Sequence, residues 1–230
     1  DESLSWEVTY GAKGFKQRMY FLGISIHFDT DREDINVWCE ISGQGCRAFE
    51  QYGTGDYESV FRWIMDEPSD RHITRLDVAF DDRDTNLIDL DKIWYALERG
   101  EYVSRSSYYR EDSSSGARTI YLGSRHSEYF FRLYDKAKER GYFDDDMHWV
   151  RLELQLRRDY ALSFIKNPAP IQDKLLGVLT RNWRFIDFSG SADSNKSRLQ
   201  NAEWWDALIS GIAAVTLFDK PQLEYNLSHL

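Results

Sequence analysis

Three stretches of this chain alternate apolar and polar side chains with the period of two that a half-buried β-strand requires. In residues 73–81 (ITRLDVAFD), Leu76, Val78 and Phe80 point one way, and Arg75, Asp77, Ala79 and Asp81 the other. In residues 148–156 (HWVRLELQL), Val150, Leu152, Leu154 and Leu156 oppose Trp149, Arg151, Glu153 and Gln155, with Arg157 next on the polar side. Between them, residues 119–136 (TIYLGSRHSEYFFRLYDK) read as two short strands joined by a tight turn at 123–127. The second of these strands places Phe130, Arg132, Tyr134 and Lys136 on one face.

The remaining elements are read around these three. Residues 18–28 (RMYFLGISIHF) and 35–49 (INVWCEISGQGCRAF) are strand-like runs separated by DTDRED, which predicts a hairpin. Gly43 and Gly45 would mark a bulge in the second run. Asp56 caps a short helix that buries Val60, Phe61 and Ile64, and Asp89 caps another with Ile93, Trp94 and Leu97 as its apolar stripe. Residues 102–117 lack a clear period beyond one short strand, and residues 137–146 are helical or irregular. Helices are expected over 159–166, 171–180 and the amphipathic stretch from 201, where Trp204 and Trp205 are packing residues.

Residues 18–99 and 119–166 thus each run hairpin, helix or irregular turn, acidic strand, helix. The fold expected is α+β: a mainly antiparallel β-sheet built from two similar β-β-α-β-α halves, with helices on its outer side and a helical C-terminal part. The corresponding division is a core over 1–170 and a helical part over 171–230.

Composition changes this picture in two ways. The net charge of −10 argues against a nucleic-acid partner, but residues 1–103 hold twice as many acidic as basic side chains, while 104–140 and 151–198 are locally basic. A phosphate-binding face on an acidic body is therefore allowed. No apolar run approaches the 18 residues of a membrane span, and the first ten residues lack the basic and apolar regions of a signal peptide. With Cys39 and Cys46 read as reduced thiols, a cytoplasmic protein without a membrane partner is expected.

The candidate chemistry lies on the polar sides of the three strands. Tyr134 stands between Arg132 and Lys136, a grouping that can hold an anion and favour a phenolate over the usual phenol. Asp77 and Asp81 share a strand face and are costly to bury without a cation, which places them in water or on a metal. Glu153, between Arg151 and Arg157, is either an ordinary ion-pair partner or a metal ligand.

Together, RLDVAFDD (75–82), TIYLGSRHSEYFFRLYDK (119–136) and RLELQLR (151–157) stand in an order and spacing that resembles the replication initiation factor (Rep_trans) family, the rolling-circle plasmid initiators and related conjugative-element relaxases. The resemblance covers roughly residues 18–210. It implies a metal-dependent endonuclease that nicks and rejoins one DNA strand at an origin through a covalent 5′-phosphotyrosine. By position, Tyr134 would be the nucleophile, Arg132 and Lys136 would steady the phosphate, and Asp77, Glu153 and, more weakly, Asp81 would hold Mg²⁺ or Mn²⁺. Arg125, Arg151, Arg181, Arg184, Lys196 and Arg198 are the expected DNA contacts. The partners implied are duplex origin DNA with its single-stranded nick region, a host helicase and a second copy in a homodimer. Two alternatives compete: a catalytically inactive origin-binding module, and a metal nuclease that uses water.

Overall fold

A computed structural model describes residues 5–32, 36–67, 69–83, 85–114, 117–143, 147–188 and 195–215. They fall into two compact units, one up to Asp66 and one from Glu67 onward. The first holds β1 (Glu7–Tyr10), β2 (Gln17–Phe21), β3 (Ile24–Phe28), β4 (Trp38–Ile41), α1 (Gly43–Tyr52) and α2 (Tyr57–Asp66). Its strands form an antiparallel sheet in the order β1-β2-β3-β4.

Two details of this unit differ from the sequence reading. Residues 18–28 are not one strand: the chain folds back at Leu22 and Gly23, whose φ values of 42° and 90° suit a two-residue hairpin turn. The expected bulge at Gly43 and Gly45 is instead the start of α1, where the Ser42 hydroxyl accepts from the Gly45 N–H at 3.1 Å. Gly45 is needed for contact rather than for strand distortion, since a Cβ there would lie 2.5 Å from the Gly23 carbonyl oxygen. The capping of α2 is as expected, with Asp56 accepting from the Ser59 N–H at 2.7 Å.

The second unit holds β5 (Arg75–Arg83), α3 (Leu90–Glu98), β6 (Tyr102–Ser104), β7 (Tyr109–Ser114), β8 (Ala117–Leu122), β9 (Tyr129–Asp135), α4 (Lys136–Glu139), β10 (Trp149–Arg157), α5 (Arg158–Lys166), α6 (Ile171–Asn182), β11 (Trp183–Phe185) and α7 (Glu203–Val215). Five strands form an antiparallel sheet in the order β5-β10-β9-β8-β7, and β6 pairs with β11. The end of the expected C-terminal part, from 216, lies outside the described residues.

The alternation decides the layering. Val78, Phe80, Ile120, Leu122, Phe131, Leu133, Leu152 and Leu154 share one sheet face, and α3, α5, α6 and α7 bring Leu97, Phe164, Leu175, Leu179, Trp205 and Leu208 into the same core. Polar side chains are left on the opposite face. The order of strands, helix, strand and helix recurs as expected, but hydrogen bonding divides differently, because β5 lies against β10 while β1–β4 make their own sheet.

Strand β5 also runs further than the sequence suggests. Asp82 lies on the core side, 1% exposed, instead of beginning a solvated loop. Its carboxyl accepts from the Ile88 N–H at 2.7 Å and from the Thr85 hydroxyl, and sits 2.7 Å from His148 Nε2. This ties the β5–α3 connection to the start of β10. Asp82→Ala should therefore cost about 2–4 kcal/mol, since it strands a buried N–H and unties His148. Urea unfolding checks this, and an unchanged midpoint would contradict it.

Candidate active site

The antiparallel register of β9, β10 and β5 assembles the polar face row by row. Arg151 on β10 faces Tyr134 on β9 and Asp81 on β5, Glu153 faces Arg132 and Ala79, and Gln155 faces Phe130 and Asp77. Tyr134 and Glu153 are thus diagonal neighbours, and the Tyr134 hydroxyl donates to Glu153 Oε2 at 3.3 Å. The Arg132 guanidinium pairs with the other Glu153 oxygen and has its centre 5.6 Å from the Tyr134 ring centroid.

Lys136 belongs to the first turn of α4, not to the strand, with Asp135 capping that turn through the Lys138 N–H at 2.9 Å. Its ammonium nevertheless stays by the phenol, 5.4 Å from the ring centroid, and pairs with Glu139.

These contacts reverse one electrostatic expectation. Burial, joined by the negative Glu153, pushes the Tyr134 phenol well above its ordinary range, and Arg151 and Arg132 offset this only in part. The nearby cations fail to favour the phenolate because each already has a carboxylate: Arg132 has Glu153, Arg151 has Asp81 and Lys136 has Glu139. Burial also lowers the Lys136 ammonium, against the pull of Glu139.

The three expected metal ligands share the face but are not gathered. Asp77 and Asp81 flank Ala79, the residue opposite Glu153, so each is diagonal to that glutamate, about 7–8 Å away along the sheet. Asp81 is committed elsewhere: the Arg151 guanidinium donates to both of its oxygens at 2.7 and 2.6 Å, and the Trp149 indole N–H donates at 2.8 Å. Burial pushes its carboxyl up, but Arg151 more than compensates and holds it below the usual range. Asp77 accepts from Arg75 Nε at 2.8 Å. Among the described residues no three His, Cys, Asp or Glu side chains form a metal cluster.

Asp77 and Glu153 still suit a hard ion that takes one or two carboxylates and keeps several waters. A carboxylate has about four lone-pair sites, so Glu153 can serve Arg132, Tyr134 and an ion together.

The expected DNA contacts separate by what holds them. Arg125, in the β8–β9 turn, donates to the Tyr121 hydroxyl at 3.1 Å and lies 4.6 Å from that ring's centroid. Arg110 approaches the same ring at 5.0 Å. The sequence reading assigned no role to Tyr121, although the alternation in TIYLG puts it opposite Arg132 on the polar face. Arg184 is spent on structure, donating to the carbonyls of Leu199, Lys196 and Ser197 and to the Asn201 side chain. Lys196 donates to the Gly100 carbonyl at 2.6 Å. Arg181 and Arg198 are exposed, and Arg151 is turned to Asp81.

Proteins of similar sequence and structure are known. A solved structure of a rolling circle replication initiator protein from Geobacillus stearothermophilus superposes with a TM-score of 0.78 at 27% identity, over 90% of this chain and 82% of that one. A Bacillus subtilis (strain 168) protein described as a candidate DNA relaxase, NicK, is 26% identical over 234 residues, 94% of this chain. The chain spans 64% of that relative's length. The family profile described as replication initiation factor matches residues 71–228, which takes in β5, β9 and β10 and every residue of the polar-face site. On these grounds, the chain belongs to the replication initiation factor family.

Proposed function

We propose that the protein nicks and rejoins one strand of origin DNA, with Tyr134 as the nucleophile. The observation that carries this reading is the Tyr134 hydroxyl held against Glu153 at 3.3 Å, with Arg132 and Lys136 at the same ring. The two related proteins, one an initiator and one described as a candidate relaxase, support the same reaction class.

The chemistry follows from the placement. The Tyr134 proton is lost to solvent, Glu153 staying ionised, and the phenolate oxygen forms a bond to phosphorus. The bond from phosphorus to the 3′ oxygen breaks, and that oxygen takes a proton from solvent to become a 3′ hydroxyl. Arg132 and Lys136 provide positive charge beside the phosphate oxygens, where charge gathers in the transition state. Asp77 and Glu153 would hold Mg²⁺ or Mn²⁺, whose contribution is to offset that charge and orient the phosphodiester. Asp81 acts one step away, fixing the direction of Arg151. Because the phosphotyrosine diester keeps the phosphate activated, reversal at the same site rejoins the strand.

A high tyrosine pKa suits a resting state. The hydroxyl stays protonated until substrate and cation arrive, and the rate should then follow the small phenolate fraction.

Two outcomes test this. Tyr134→Phe, incubated with a supercoiled plasmid carrying the protein's own origin and divalent metal, should form no denaturant-stable protein–DNA adduct and should lose nicking by at least about a thousandfold. Retained cleavage without an adduct would favour attack by water. In Glu153→Gln the negative neighbour is gone, so the Tyr134 titration, read by NMR of labelled tyrosine, should move to lower pH. In the wild type the nicking rate should climb about tenfold per pH unit through neutrality, and a flat profile would contradict a protonated resting phenol.

A further inference from the structure

Gln155 lies in the middle of β10 on the polar face, two residues from Glu153 and directly between Asp77 on β5 and Phe130 on β9. It is 4% exposed, and its amide Nε2 is buried without a hydrogen-bond partner. Arg132 Nε is in the same condition. Arg132 is the diagonal neighbour of Gln155 across the β9–β10 pair, so the two orphan donors belong to adjacent rows of the face that carries Tyr134.

Native proteins leave few buried donors unmet, because each costs about 1–3 kcal/mol. The carboxylates nearest in register bind other donors and do not meet these two: Glu153 binds a terminal nitrogen of Arg132 and the Tyr134 hydroxyl, and Asp77 binds Arg75. Two N–H groups without an internal acceptor are complementary to an anionic oxygen supplied from outside, and a phosphodiester supplies such oxygens.

We propose that Gln155 Nε2 and Arg132 Nε together bind a non-bridging oxygen of the scissile phosphate, which makes Gln155 a substrate-contacting residue of the site. The proposal rests on the nicking reading and refines it. Arg132 would then join Glu153 on β10 to the phosphate through one guanidinium, its terminal nitrogen on Glu153 and its Nε on DNA. The contrasting arrangement has the Gln155 amide turned over, with its oxygen accepting from Arg132 Nε as an internal brace. The two arrangements differ in what they do to the free protein.

Gln155→Met keeps the shape and removes the donor, and Gln155→Glu keeps the shape and replaces the donor with a charge that repels phosphate. Adduct formation would be followed in single turnover on an oligonucleotide spanning the nick site, beside thermal melting of the protein without DNA. A phosphate contact predicts that Gln155→Met slows adduct formation about 10–100-fold without lowering the melting temperature, since the donor bonds nothing in the free protein. Gln155→Glu should be slower still. A Gln155→Met protein that reacts within about twofold of wild type, or that melts clearly lower, overturns the proposal. Wild-type protein that forms no adduct at all would remove the nicking reading itself, an outcome separate from an active wild type with an equally active Gln155→Met.

Discussion

The site depends on one constraint, the antiparallel register that locks β10 between β5 and β9. As an inner strand, β10 is lined on one side by Val150, Leu152, Leu154 and Leu156, which must meet the helical core. Side chains alternate, so burying those four forces Arg151, Glu153 and Gln155 onto the other face. The pairing then dictates that Arg132 and Tyr134 arrive from one side and Asp77 and Asp81 from the other. A slip of one residue would turn every one of these groups to the wrong face. The hydrophobic core therefore determines the geometry of the polar face, and the chemistry is inherited from the packing.

Charge on that face is arranged in neutral pairs rather than as an excess of one sign. Among the described residues, Arg132 pairs with Glu153, Arg151 with Asp81 and Lys136 with Glu139, where burial would make a lone ion costly. Burial, joined by the negative Glu153 at its hydrogen bond, keeps the phenol of Tyr134 neutral, and the paired cations offset this only in part. Under the proposed function, substrate and cation would meet a surface whose charges are already balanced. The net charge of −10 does not exclude the polyanionic partner of that proposal, because the attraction would be local.

Much of this was legible in the sequence, and the exceptions have definite causes. Period two exposed β5, β9 and β10 and their polar sides, because strand alternation is written directly in residue order. The helices that begin after Asp56 and Asp89 were readable from their caps. The start of α1 was not, since Gly43 and Gly45 look like strand breakers, and the contact that demands Gly45 lies with Gly23 in another strand. Asp82 was hidden among neighbouring acids, and its burial follows from His148 and Ile88, both distant or beyond a turn. Three motifs marked the candidate ligands, but only the register shows that Asp81 is taken up by Arg151 and Trp149. Sequence also gave Gln155 a face without a role, because a missing partner is visible only in three dimensions.

The central claim is that the oxygen of Tyr134 becomes the one bonded to DNA. Trapping the protein on a labelled origin oligonucleotide, digesting the complex and locating the attached nucleotide by peptide mass spectrometry tests it directly. Nucleotide carried by the peptide containing residues 133–135, on Tyr134, is the result expected. Nucleotide on Tyr121, Tyr129 or any other side chain would contradict the account.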